Sequence, residues 1–357
     1  MVASGVIEAM PRQKPVPQQL LSLARRQGGL VSAAQCEAVG VRPSQRRNLV
    51  ARGPWRRVAR GVFDTGDVPA RFHPYDVDRL RSAWSALLVN RRAIAVGACA
   101  LVLHGVEGLP RKLVPEAALP RGAAGRCPDG FVVRQYGPTP ETVEIQGREV
   151  VEVEQALVQA LPMLTRDEAV ACLDSALNKG LIRTEQLATI TRRLRRRRGS
   201  AKVITYIPLV DGRAESPPES HARLRLRDAD IAPDDLQREF FDATGRFLGR
   251  ADMVWYLGGD RWLIVEIDSH EFHGYERQVR HDATRQNRLL AEGQNIILRY
   301  FPTDLDDHFA EDVAKVLERK PGIRVGSCLC AIRPGRIDQS SCCQARRILA
   351  ATAVVND

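Results

Sequence analysis

Gly249-Arg250-Ala251-Asp252-Met253-Val254-Trp255 and, after a turn, Trp262-Leu263-Ile264-Val265-Glu266-Ile267-Asp268 decide the fold of the carboxy-terminal half. These two runs, rich in Val, Ile and Trp and separated by Gly258-Gly259-Asp260, predict a β-hairpin with acids near the ends of apolar strands. Side chains alternate across a strand, so Glu266 and Asp268 share one face while Val265 and Ile267 take the other. Adjacent carboxylates on one face repel and call for a cation between them. Asp252, Glu266 and Asp268 therefore read as an oxygen cage for a divalent cation.

Upstream, Ser216-Pro217-Pro218-Glu219-Ser220-His221-Ala222-Arg223 opens a helix. Ser216 is placed as N-cap, Pro217 at the first helical position and Glu219 at the third, a capping box. Glu219 can cap its helix and serve a site at once. Downstream come His273, then the polar run Arg280 to Leu290 with Asp282, Arg285 and Arg288, then Gly293 and Ile296-Ile297-Leu298-Arg299-Tyr300. Asp282, Arg285 and Arg288 equally fit the solvated face of a helix.

In order and spacing, residues from about 215 to 305 resemble the DUF559 family, which has the PD-(D/E)xK restriction-endonuclease-like fold and is related to very-short-patch mismatch repair endonucleases. The resemblance implies an αβββαβ core and assigns roles by position. Glu219 matches the acid of the first helix, Asp252 the hairpin acid that anchors metal, and Glu266 the second acid of the motif. Asp268 stands where the standard motif has Lys, as is typical of this branch. His273 matches the family's following histidine, and Asp282 and Arg285 its polar helix. With no Lys, Arg285, Arg299 or His273 would orient water or offset phosphate charge. The implied chemistry is phosphodiester hydrolysis by water, with Mg²⁺ (or Mn²⁺) neutralising charge that builds on the phosphoryl oxygens.

The amino-terminal residues carry a second signal. Gln18 to Gln27 read as a helix, Ser32 to Ala38 as a short helix stopped by Gly40, and Pro43 to Arg52 as a third. Pro54 to Phe63 follow as a two-stranded wing around Gly61. Three short helices and a basic hairpin predict a winged helix-turn-helix whose third helix enters the major groove. Arg46, Arg47 and Asn48 are suited to bases or phosphates, and Arg56, Arg57 and Arg60 of the wing to phosphates. A protein-docking winged helix with a solvated basic face is the alternative. The segment resembles the amino-terminal winged helix of AbiEi-type antitoxins of type IV toxin–antitoxin systems. That resemblance implies promoter binding, repression and a cognate toxin protein.

Between them, Arg79 to Val89, Ala93 to His104, Glu154 to Leu161, Asp167 to Leu177 and Thr184 to Leu194 read as helices, and Val132 to Tyr136 and Val143 to Val153 as strands. No motif there carries chemistry, and His104 reads as a core or turn residue. Arg192-Arg193-Leu194-Arg195-Arg196-Arg197-Arg198 ends the last helix, either as a solvated linker or as a clamp on phosphates.

The expected organisation is a multidomain α/β (α+β) chain: a disordered start over 1–16, a winged helix over 17–70, a middle α/β region over 75–198, a linker over 199–215, the nuclease-like domain over 216–310 and a poorly ordered cysteine-containing tail over 321–357. Lys and Arg total 53 against 43 Asp and Glu, a net charge of +10 that attracts polyanions. The excess is mostly Arg, which a GC-rich genome also produces. No apolar run is long enough for a membrane span, and Met1 to Pro17 lacks the apolar core of a signal peptide, so a cytoplasmic location is expected. Of the eight cysteines, Cys36, Cys99, Cys127 and Cys172 are scattered as free thiols would be. Cys328, Cys330, Cys342 and Cys343 cluster in the tail at spacings of no common zinc finger.

Three functions fit these residues: a metal-dependent DNA endonuclease guided by its winged helix, an antitoxin-like transcriptional repressor with an inactive nuclease-like domain, and an interaction protein.

Overall fold

The computed structural model describes residues 15–69, 73–122, 130–136, 140–259, 261–268 and 295–318. The chain has a mixed α+β fold, with three sheets among the described residues. The expectations for His273, Asp282, Arg285, Cys127 and the tail fall outside that range, as does nearly all of the expected disordered start.

Helices α1 (Gln18–Arg26), α2 (Ala33–Ala38) and α3 (Pro43–Arg52) form the amino-terminal unit, with strands β1 (Leu30–Ser32), β2 (Arg56–Ala59) and β3 (Val62–Asp64). Local chemistry sets the bounds. Ser32 caps α2 in a reciprocal box with Gln35, and Pro43 stands in the first turn of α3. The wing is three-stranded, in the order β1-β3-β2, because Leu30–Ser32 pairs with β3. Leu20, Ala24, Val31, Cys36, Val41, Leu49 and Trp55 form its core.

A central core joins this unit to the middle region. Leu30, Ala59 and Val62 are buried in one cluster with Trp84 and Leu87 of α4 (Pro74–Val89). Arg81 of α4 reinforces the joint by donating to the Gly28 carbonyl at 2.9 Å and pairing with buried Asp64 at 3.2 Å. The middle sheet runs β6-β5-β4-β8-β7, built from β4 (Ile94–Ala95), β5 (Glu116–Ala118), β6 (Val132–Arg134), β7 (Thr142–Ile145) and β8 (Arg148–Val151). Around it pack α5 (Gly97–Leu103), α6 (Val153–Ala160), α7 (Arg166–Asn178) and α8 (Gln186–Leu194). His104 caps the end of α5 and its ring bonds the Val151 carbonyl at 2.8 Å.

The stretch 199–215, expected as a linker, contains α9 (Ala201–Ile204) and a 3-10 turn at Ile207–Leu209, with Ser200, Val203 and Ala214 buried. Beyond it, α10 (Pro217–Asp228) leads into β9 (Asp235–Phe241), β10 (Phe247–Gly258) and β11 (Arg261–Ile267), then β12 (Ile296–Tyr300) and α11 (Asp307–Glu318). The sheet order is β12-β11-β10-β9, antiparallel except for the parallel β11–β12 pair. Met253, Trp255, Leu263 and Val265 face α10 and α11, burying Ala222, Leu226, Phe309 and Val313. Val254 and Ile264 face the other way.

α7 and α10 meet at a buried ion pair. Asp174 is 1% exposed and accepts at 2.7 Å from each of Ser220 Oγ, Arg223 Nη2 and the Asp211 N–H. Arg223 also donates to the Leu209 carbonyl at 2.7 Å. At the same junction Arg166 forks onto Asp228.

Candidate functional site

Glu219 is turned back over the start of its own helix. Ser216 Oγ donates to Glu219 Oε1 at 2.7 Å, and the Glu215 N–H donates to Oε2 at 2.9 Å. The capping role read from the sequence is thus present in altered form, with the N–H one residue before the cap as donor. Gln237 of β9 completes the arrangement: its Nε2 donates to Glu219 Oε2 at 3.0 Å and to Asp252 Oδ1 at 3.3 Å. The pairs Arg238 with Ala251 and Leu236 with Met253 place Gln237 directly opposite Asp252. Its backbone lies in the left-handed region at φ +51°, which costs a non-glycine residue about 1–2 kcal/mol. Such strain survives only where surrounding structure imposes it. Nothing in the sequence marked Gln237.

Asp252 Oδ2 accepts the Ile267 N–H at 2.9 Å, in place of a ladder bond beyond the Met253–Val265 pair. Burial, and after it the Asp252 charge, pushes the Glu219 carboxyl up to about 7, so this acid is about half protonated at neutral pH.

Glu266 and Asp268 form a second group. Glu266 is 6% exposed and lies opposite Arg299 in the β11–β12 register. Arg299 Nη2 donates to Glu266 Oε2 at 2.8 Å, and Nη1 lies 3.5 Å from Asp268 Oδ2. The cation demanded by two same-face acids is therefore a guanidinium from the neighbouring strand. Asp252, Glu266 and Asp268 do not converge as the expected cage; they divide into Glu219–Gln237–Asp252 and Glu266–Arg299–Asp268. Among the described residues no group of three or more His, Cys, Asp or Glu is disposed to hold a metal ion.

The winged helix sorts its basic residues by helical phase. On α3, Arg46 and Leu49 point inward, while Ser44, Arg47, Asn48, Ala51 and Arg52 are exposed. The expectation of Arg46 as a DNA contact is corrected here, since the side chain is interior. It donates to the Val41 carbonyl at 3.0 Å, reaches the Ala33 carbonyl at 3.4 Å and pairs with Glu37 at 2.9 Å, tying α2 to α3. An arginine at the phase of the buried Leu49 is drawn to the Val41 carbonyl, in the connection between α2 and α3, and to the Ala33 carbonyl at the start of α2.

Arg47 and Asn48 remain outward, as do Arg42, which precedes this helix, and Arg52 at its end. On the wing, Arg56 is exposed but leans on buried Asp64 at 2.9 Å. Arg57, Val58 and Arg60 are exposed around the Gly61 turn, where φ is +76°. Arg47, Arg52, Arg57 and Arg60 enter no ion pair among the described residues.

Cys36, Cys99 and Cys172 are buried free thiols, and burial raises all three pKa values, to about 11 for Cys36 and about 12 for Cys99. They are packing residues rather than nucleophiles.

Comparison with known proteins bears on the same unit. A family model described as "Transcriptional regulator, AbiEi antitoxin" matches residues 18–63, which run from α1 into β3. The three helices and wing over those residues are compatible with a winged helix. Two uncharacterized proteins of Mycobacterium tuberculosis, from strains CDC 1551 and H37Rv, are each 29% identical over 181 residues. The alignment covers 49% of this chain and 64% of theirs, so the match spans just under two thirds of those relatives. No described helix is long and apolar enough to cross a membrane.

Proposed function

We propose that the protein is a DNA-binding transcriptional regulator of the AbiEi antitoxin type, acting with a cognate toxin protein. One observation carries this reading. Within the segment similar to that family, α3 turns Arg47, Asn48 and Arg52 outward and the wing adds Arg57 and Arg60, while Arg46 and Leu49 hold the unit together. Arg suits guanine O6 and N7, and Asn suits adenine N6 and N7, each as a bidentate partner in the major groove. Wing arginines beside such a helix suit phosphates.

Fluorescence anisotropy on DNA from upstream of the gene tests the reading. Arg47→Ala and Asn48→Ala are each expected to cost about 1–3 kcal/mol of discrimination between that DNA and random duplex. Arg57→Gln with Arg60→Gln is expected to weaken both equally. Equal affinity of the unaltered protein for upstream and random DNA would refute the proposal.

A second reading, phosphodiester hydrolysis by the carboxy-terminal domain with Mg²⁺ or Mn²⁺, draws on the Glu219–Asp252 pair. Two acids satisfy Mg²⁺ when waters complete its shell. Glu266 and Asp268 would have to exchange Arg299 for such an ion. Cleavage of supercoiled plasmid and single-stranded DNA, with Mg²⁺, Mn²⁺ or EDTA, is the test. Metal-dependent cutting lost in Asp252→Ala supports this reading, and no cutting under any condition removes it.

A further inference from the structure

The basic run at the end of α8 belongs to no site described so far, and its backbone is not that of a loose linker. Arg195 N–H bonds the Thr191 carbonyl at 3.1 Å, Arg196 N–H that of Arg193 at 3.3 Å, and Arg197 N–H that of Leu194 at 2.8 Å. Gly199 at φ +81° closes the turn, and Ser200 is buried immediately after. Ile190 and Leu194 anchor the inner side at full burial.

Two of the arginines are tethered. Arg193 pairs with Glu154 at 3.0 Å and reaches Gln155, and Arg197, only partly exposed, lies beside Tyr136. Arg192, Arg195, Arg196 and Arg198 are exposed and enter no ion pair among the described residues. The negative end of a helix is worth about half an elementary charge, so dipole compensation does not account for four added cations. Arg192, Arg195 and Arg196 share one face at the spacing of a single turn, opposite Leu194.

We propose that this face is a second DNA-contacting surface, which grips backbone phosphates without reading sequence. It rests on the DNA-binding reading above but uses different residues. From the last turn of α8 into the turn that continues it, Arg192 to Arg196 spans about 6 Å, against about 3.4 Å of axis per phosphate on one DNA strand. The face therefore matches two phosphates. Guanidinium forks suit phosphate oxygens better than point charges do.

The experiment measures binding of the full chain to a random-sequence duplex across a salt series. Three variants are compared with the unaltered protein: Arg192, Arg195, Arg196 and Arg198 all to Gln; the same four to Lys; and Arg47, Arg57 and Arg60 to Gln. Each phosphate contact contributes about 0.9 to the slope of log affinity against log salt. The four-Gln variant is expected to lose about 2 from that slope, and the four-Lys variant to keep it.

An unchanged slope in the four-Gln variant, with loss in the α3–wing variant, overturns this inference and leaves the regulator reading standing. Loss in the four-Gln variant alone supports the inference and overturns the winged helix as the DNA-binding unit. Equal loss in the Gln and Lys variants shows a structural role and overturns the inference. No DNA binding by the unaltered chain overturns both, and a duplex RNA bound more tightly than DNA overturns the choice of partner.

Discussion

Asp174→Ala attacks the joint between the middle region and the carboxy-terminal domain, where the structure concentrates its buried charge. Asp174 is 1% exposed and Arg223 is 8% exposed. Truncation leaves the Arg223 guanidinium facing an apolar gap, though Nη1 keeps the Leu209 carbonyl at 2.7 Å. It also strips the acceptor from Ser220 Oγ and the Asp211 N–H, both bonded at 2.7 Å. Removing one partner of a buried pair costs about 3–5 kcal/mol. The loss expected is therefore about 4 kcal/mol, with the stranded donors contributing within it.

Asp174→Asn keeps an acceptor and is expected to lose about 2 kcal/mol, since a hydrogen bond to a charged group outweighs a neutral one by about 1 kcal/mol and more than one is weakened here. The double variant Asp174→Leu with Arg223→Met removes both charges and is expected to recover most of the loss. Urea denaturation followed by tryptophan fluorescence reads all three, because Trp84 and Trp255 lie in the cores on either side. A loss under about 1 kcal/mol for Asp174→Ala would refute the reasoning, placing the ion pair in solvent-screened surroundings.

Glu219 holds its proton up to about 7 when folded but ionises near the ordinary 4.5 when unfolded. The folded state thus binds more protons across that window, and its stability falls as pH rises through it. The full effect is on the order of 3 kcal/mol at about 1.4 kcal/mol per pKa unit; urea midpoints for Glu219→Gln should lose that slope between pH 5 and 7, and an unchanged slope would place its source elsewhere. Arg46→Ala should lower the melting temperature, at a cost of about 2 kcal/mol for the carbonyls and Glu37 left behind, while DNA affinity measured well below the melt stays unchanged. At position 237, Gly should be more stable than Ala by about 1 kcal/mol, since only Gly takes φ +51° without strain. The reverse order would show that Gln237 is not strained. Gly108→Ala should fold poorly or melt early, because φ is +89° and a Cβ there would sit 2.7 Å from the Ala171 Cβ; a melting temperature within a degree of the unaltered protein would count against that packing.

Much of the winged helix was legible because its signals are local. Ser32 with Gln35, Gly40 and Pro43 mark helix ends through backbone chemistry that needs no partner. Phase was the harder matter: Arg46 looks like its neighbours in the string of basic residues, and only the burial of Leu49 on the same stripe sends it inward. In the middle region the apolar run Val143 to Val153 predicts one strand. Gln146 at φ +51° and Gly147 at φ +75° fold it into the β7–β8 hairpin, with the turn that favours a positive φ at both central residues. Ala93 to His104 has the composition of one helix, yet Ile94 and Ala95 pair with Ala118 and Ala117 as β4. A short, fully buried apolar run carries no periodicity to separate the two states. In the carboxy-terminal domain the described elements run α10, β9, β10, β11, then β12, and the helix expected before the last strand lies outside the described residues. Gln237 was illegible, since its role depends on a backbone conformation imposed by the strands around it.

Glu266 and Asp268 lie side by side, and Arg299 reaches both. The repulsion is real, and buried Glu266 does require a positive partner. A metal ion and an internal guanidinium satisfy that requirement equally, so the acids alone favour neither. What separates them is the partner's position. Arg299 lies opposite Glu266 through parallel pairing of strands more than thirty residues apart, a proximity that only the topology creates. Glu266 and Asp268 are therefore balanced within the sheet by Arg299, while arginines of α3, the wing and the end of α8 stand outward. Outward arginines of this kind suit polyanions whether or not the chain cuts them, which is why DNA binding is proposed ahead of hydrolysis.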